Sequence, residues 1–345
     1  MKNLQCDWYD NLRGLTKLVA TAFVMAGLSV ISPPARITAQ TQTGKDEGRQ
    51  VTNNPDEARL VTSDIANFWR AYDQATPDND LIVFRNEYFR KGSYGLEQFT
   101  RLRINSVCNL VDTIAKRPKY YASIRENTLK VEIMKESIRA SFRKLKELYP
   151  AAVFPDVYFL IGVMNSGGTT TDKGLLIGAE MYGITKRTPY EELTDWHKAV
   201  LKSIEAIPNI VAHELIHYEQ KYPQNSDTLL SQAITEGGAD FVAETISGGN
   251  INDHLHTYGN SRERELWVEF QKEMNGEDTS RWLYQGDKSK DRPADLGYYV
   301  GYKICAAYYQ HAADKKQAIK DILEIKDFKQ FLTTSRYGEK FGKGQ

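Results

Sequence analysis

The strongest constraint on folding is the stretch NIVAHELIHYEQ, residues 209–220, which sets His213 and His217 four positions apart with Glu214 directly after the first. Read as a helix entered at Pro208, it projects both imidazoles from one face, because four residues advance a helix by slightly more than a turn. Ile210, Val211, Ala212, Leu215 and Ile216 cover nearly every other direction, which predicts a helix buried on several sides. Burying His, Glu and His there is costly unless something compensates, and a metal ion is the natural compensation. Zinc accepts neutral imidazole nitrogen at tetrahedral positions, and Glu214 stands close enough to address a bound water. Only six histidines occur in the 345 residues, so two spent on one helix turn carry weight.

A third ligand is required, and LLSQAITEGGADFVAETISGG, residues 229–249, supplies a candidate on a second helix closed by Gly248 and Gly249. Glu236 and Asp240 share a face of it. Glu236 lies nineteen positions beyond His217, enough for one loop and a return. Asp240, one turn on, is placed to accept a hydrogen bond from the outer nitrogen of a ligating histidine and so fix its tautomer. Each glycine within a helix costs about 1 kcal/mol relative to alanine. The adjacent Gly237 and Gly238 therefore predict a close backbone approach, expected from the histidine-bearing helix.

HELIH followed by EGGAD resembles the thermolysin-like gluzincin family of zinc metallopeptidases, and the resemblance covers residues 209–244. VYFLIGVMNSGGTTTDKGLLIGAEM and LGYYVGYKICAAYY also resemble poorly characterised bacterial families of predicted zinc-dependent proteases. The resemblance implies a zincin-like fold with His213, His217 and Glu236 as Zn2+ ligands, Glu214 as general base and Asp240 behind a histidine. The family's transition-state histidine has no counterpart. Tyr298 is the expected oxyanion donor, since such donors contribute about 3 kcal/mol. Tyr302 shares its face, and Arg292 is an alternative donor or a site for a substrate carboxylate. Asn165, Gly167 and Gly168 are expected near an extended peptide added to the strand VYFLIGV, or else in a plain turn.

The rest of the chain reads as an α+β protein, mainly helical with a small sheet. Arg13 and Lys17 precede the apolar run LVATAFVMAGLSVI, and Ala39 follows, which predicts a signal peptide over residues 1–39 and export to periplasm or medium. The alternative is an uncleaved anchor, in which case the leader is the only membrane contact. Cys6 precedes the apolar run and is not placed as a lipid-bearing residue. Residues 40–58 read as a flexible lead-in, 59–150 as a helical region with Ser63 capping its first helix, and 151–345 as the metallopeptidase domain. Within the last, residues 156–183 read as a hairpin or two adjacent strands joined by NSGGTTTD, and 251–291 as a loop-rich insert. His254 and His256 are expected on a surface loop, and His197 and His311 without a role.

Lysine plus arginine equals aspartate plus glutamate, 45 each, so no net field recruits nucleic acid. Beyond the leader, Cys108 and Cys305 could form one bridge or remain two buried thiols. The function expected is an exported zinc metallopeptidase acting on a peptide or protein substrate. The alternatives are a catalytically silent envelope binding protein on the same scaffold, or a zinc hydrolase of a non-peptide amide or ester.

Overall fold

Four short strands, β1 (Leu60–Val61), β2 (Asp156–Leu160), β3 (Gly168–Thr171) and β4 (Gly174–Gly178), form a sheet in the order β1-β2-β4-β3. The computed structural model describes residues 48, 51–224 and 227–342. The leader expected over 1–39, with Cys6, lies outside the described residues. The described chain is mainly helical around this small sheet, an α+β architecture.

The two apolar runs are adjacent strands, one of the two arrangements expected, and not a hairpin. β2 and β4 run parallel, with Val157 opposite Leu175 and Phe159 opposite Ile177. Every residue of both strands is buried, as expected of strands covered on both faces. The hairpin is made instead by β3, which pairs antiparallel with β4. Its residues, GTTT, come from the segment read above as a connector. Three consecutive β-branched threonines suit a pleated, half-buried strand better than a loop. β3 forms one edge of the sheet and β1 the other.

Two further expectations are corrected. The end of the supposed lead-in is fastened down: Thr52 bridges to Phe154, and Ala58 is fully buried. The region 251–291 contains the helices Asp253–Gly259 and Glu263–Glu273, whose Leu255, Leu266, Trp267 and Phe270 reach the core. The first long helix runs Ser63–Gln74 with Thr62, not Ser63, at its N-cap. Cys305 is a buried free thiol, so no bridge joins it to Cys108. Among the described residues no helix is long and apolar enough to cross a membrane.

Three helices frame the site. The histidine helix (Ile207–Glu219) starts with Pro208 in its first turn, where a missing N–H costs nothing, and buries ten of its residues. The carboxylate helix (Leu229–Ser247) is capped by the Thr228 hydroxyl and ends at Gly248 in the left-handed conformation, φ +83°. The crossing helix (Leu296–His311) packs across it.

Gly237 does mark a close approach, but the neighbour is the crossing helix rather than the histidine helix. A Cβ on Gly237 would lie 2.0 Å from the backbone nitrogen of Tyr302, and one on Gly301 would lie 1.7 Å from the carbonyl oxygen of Ala233. The two backbones touch because each lacks a side chain at the crossing point. Gly238 is different: its added Cβ would meet the Cys305 sulfur at 3.4 Å, an ordinary contact.

This contrast gives a prediction. Gly301→Ala must push two helices apart and should cost about 3 kcal/mol or more in urea denaturation. Gly238→Ala should be neutral or stabilise by up to about 1 kcal/mol through helix propensity. Equal effects of the two substitutions would refute the crossing-point account.

Candidate metal centre

His213, His217 and Glu236 each offer one ligand atom, and these atoms all lie within 4.8 Å of one another. The separations are 3.0 Å between the two imidazole Nε2 atoms, 3.0 Å from His217 Nε2 to Glu236 Oε2, and 3.7 Å from His213 Nε2 to the same oxygen. Three atoms held about 2.0–2.1 Å from a common tetrahedral centre would stand about 3.3–3.4 Å apart. The three sides of the observed triangle scatter around that spacing.

The tautomers sharpen the fit. Gln220 uses its amide N–H to reach the Thr235 carbonyl at 2.7 Å, so its Oε1 faces His217 Nδ1 at 2.9 Å. That nitrogen must donate, which leaves the Nε2 lone pair of the neutral ring pointing into the site. His213 Nδ1 lies 2.8 Å from Asp240 Oδ1, off the line of a good hydrogen bond but close enough for strong attraction to a carboxylate. Its proton is therefore favoured on Nδ1 as well. Asp240 is steadied by a 2.8 Å hydrogen bond from the Asn252 amide. Two imidazole lone pairs and a carboxylate oxygen thus converge on one point, an arrangement that repels itself unless a cation or a proton sits between. Burial opposes charge on His217, but Glu236 outweighs it and pushes its pKa up to about 10, while the imidazoles hold Glu236 down to about 2 against its own burial.

Glu214 lies beside this triangle, buried against β3, where a Cβ on Gly168 would come 2.5 Å from its Oε1. Burial raises its carboxyl pKa, moderated by His213, His217 and Arg103. The second oxygen of Glu236 accepts a 2.8 Å hydrogen bond from the Tyr284 hydroxyl. Sequence reasoning missed Tyr284, because it comes from the loop before the crossing helix and belongs to no motif. That loop is braced by reciprocal hydrogen bonds between Gln285 and Asp295, and Tyr284 adopts φ +58° to reach in.

The other expected residues divide. Tyr298 lines the cleft, its ring stacked 6.3 Å from that of His213, and burial keeps its hydroxyl protonated. Asn165 and Gly167 also line it, and Asn165 donates to the Arg103 carbonyl at 3.0 Å. Tyr302 faces away, packed on Phe241 and His256. Arg292 is committed elsewhere: it pairs with Glu269 at 2.8 Å and covers the Trp282 ring. His256 is half-buried against Tyr299 and Tyr302 on a helix rather than in a surface loop. His197 has a structural task. Its Nδ1 accepts from Thr194, so its Nε2–H donates to the Met164 carbonyl at 3.0 Å, and burial keeps it neutral.

With the geometry described, comparison with known proteins decides the family. The family described as "Gliding motility protein GldB" matches residues 51–339. The chain belongs to that family. No curated protein and no solved structure matches. The gluzincin resemblance rested on residues 209–244, whereas the GldB match takes in almost all of the described chain. The identification as a zinc metallopeptidase, with the hydrolase function drawn from it, is therefore corrected. The physical reason is that a short motif brings a few side chains together without fixing what the surrounding cleft does with them. The family is a lipoprotein family, in keeping with a place in the envelope.

The floor of the cleft carries a testable titration. Met164 sits at φ +59°, held by His197 at its carbonyl and by Glu180, whose Oε1 accepts from its N–H at 3.1 Å. Glu180 is fully buried, its Oε2 has no hydrogen-bond partner among the described residues, and burial pushes its pKa from 4.5 up to about 7. A carboxyl raised on folding contributes stability that is complete below pH 4.5 and lost as pH rises through about 7. Glu180→Gln should remove this loss. Relative to the native chain it should gain about 3 kcal/mol in urea denaturation between about pH 4 and about pH 8. A pH-independent difference would show that the carboxyl is solvated.

Proposed function

We propose that this chain is a catalytically silent envelope binding protein of the GldB family, whose cleft holds a divalent cation as part of its ligand-binding surface. The observation that carries the reading is the convergence of His213, His217 and Glu236, with both histidine tautomers set by Gln220 and Asp240, at the floor of a cleft of about 1040 Å³. Two imidazoles and one carboxylate suit zinc best among the common divalent ions. Bound there, zinc supplies a Lewis-acidic position at which a ligand oxygen can be held. The protein's own residues do the rest. Tyr284 occupies the free oxygen of Glu236 and keeps the other directed at the imidazoles, and Glu214 offers an acceptor for a donor group of the ligand.

Metal analysis of the purified chain tests this. About one zinc per chain is expected in the native protein and in Glu214→Gln, with affinity lowered at least about 100-fold in Glu236→Ala. Unstructured protein incubated with the zinc-loaded chain should survive intact. A native chain that fails to take up zinc overturns the metal centre. Hydrolysis that disappears in Glu214→Gln overturns the silent-binding reading.

A further inference from the structure

Two arginines, Arg103 and Arg117, line the cleft and are in no ion pair among the described residues. The buried Nε of each has no hydrogen-bond partner among those residues. Arg103 spends one N–H on the Thr169 hydroxyl of β3 at 3.1 Å, and its charge acts on Glu214. Arg117 acts on His197, the residue that holds Met164. The Arg103 carbonyl is held by Asn165. Both residues line the cleft together with the loop that leads from β2 to β3, and they come from the helical region between β1 and β2.

The cleft also contains acids, and their positions decide its polarity. Glu214 and Glu236 lie at the candidate cation. Asp295 is tied to the Gln285 backbone, and Asp287 is exposed on the loop after Tyr284. Lys202 is paired with Asp253. None of these groups satisfies Arg103 or Arg117. A partly buried guanidinium left with an unused donor is expensive, and the planar fork fits a carboxylate with two parallel hydrogen bonds. The Nε atoms are themselves buried, but both residues are only part-buried and line the cleft, so each brings positive charge to the space that also holds the candidate metal centre.

The edge of the sheet says what kind of molecule brings that anion. Among the described residues β3 pairs with β4 alone, so its outer edge carries main-chain donors and acceptors without a strand partner there. Thr169 and Thr170 of that edge line the cleft, and Thr169 is the residue that holds Arg103. An extended peptide aligned with such an edge has its main chain satisfied by the strand and its side chains or terminus presented to the guanidiniums.

We infer that the cleft is a receptor site for an extended acidic peptide, with Arg103 and Arg117 binding a peptide carboxylate beside β3. The inference rests on the binding reading above and adds the ligand class to it. Arg292, which the sequence suggested for a carboxylate, is excluded by its pairing with Glu269.

The test uses the full chain, zinc-loaded, and fluorescence anisotropy of labelled glycine-serine decapeptides. One ends in Asp-Glu with a free carboxylate, and its counterpart ends in Lys-Lys with an amide. The acidic peptide should bind at least about ten-fold more tightly than the basic one. Arg103→Gln and Arg117→Gln should each weaken the acidic peptide about ten-fold or more, and Arg117→Lys should restore part of the loss, since it returns charge without the fork. Zinc content of each variant is measured alongside. Peptide binding lost with zinc retained supports the arginine assignment, and a native chain without zinc counts against the metal centre alone. Equal binding of the two peptides, or undiminished binding in both glutamine variants, overturns the inference. The peptide comparison needs no variant, so it decides even where a substitution prevents folding. Inorganic phosphate is the competing probe: displacement of the peptide at micromolar phosphate would assign the arginines to a small anion and overturn the peptide reading.

Discussion

Three lone pairs aimed at one point are the constraint on which the site depends. Neutral imidazoles would ordinarily turn apart or share a proton, but here each ring is fixed from behind, His217 by Gln220 and His213 by Asp240. The fixing residues are held in turn, Gln220 by the Thr235 carbonyl and Asp240 by Asn252. Glu236 enters the same triangle with one oxygen and gives its other to Tyr284. Without an ion, a proton on His217 relieves this crowding, and a bound cation would take that proton's place.

The packing that maintains the triangle lies one layer out. The carboxylate helix is sandwiched between the histidine helix and the crossing helix, and its contact with the latter is set by two glycines that let backbones meet. On the other side, β3 lies along the histidine helix and confines Glu214 against Gly168. Glu219, at the end of the histidine helix, accepts from the Val153 N–H at 2.6 Å and ties that helix to the segment entering β2. Sheet and helices therefore hold the candidate site together, with Glu236 on the helix that meets the crossing helix at Gly237.

Much of this was legible in the sequence, and the boundary between what was and was not has a physical basis. Helical spacing places His213 and His217 on one face whatever the surroundings, and the same rule joins Glu236 to Asp240, so the core of the site could be read directly. Pro208 and Gly248 mark helix ends by local backbone preference alone. Long-range partners have no such local signal. The close approach at Gly237 was legible, but which helix supplied it was not. The threonines of β3 looked like a connector because strand pairing is decided across the chain, by β4. Tyr284, Arg103 and Arg117 come from separate segments, and only the fold brings them to the cleft. Function was the least legible: the motif brings two imidazoles and a carboxylate together, while the family to which residues 51–339 belong is described as a gliding motility protein.

The most direct test of the central claim is anomalous diffraction at the zinc edge from crystals of the zinc-loaded chain. One peak is predicted, about 2.0–2.2 Å from Nε2 of His213, Nε2 of His217 and Oε2 of Glu236. A peak elsewhere, or imidazoles turned away from a common centre with no metal between them, would contradict the account.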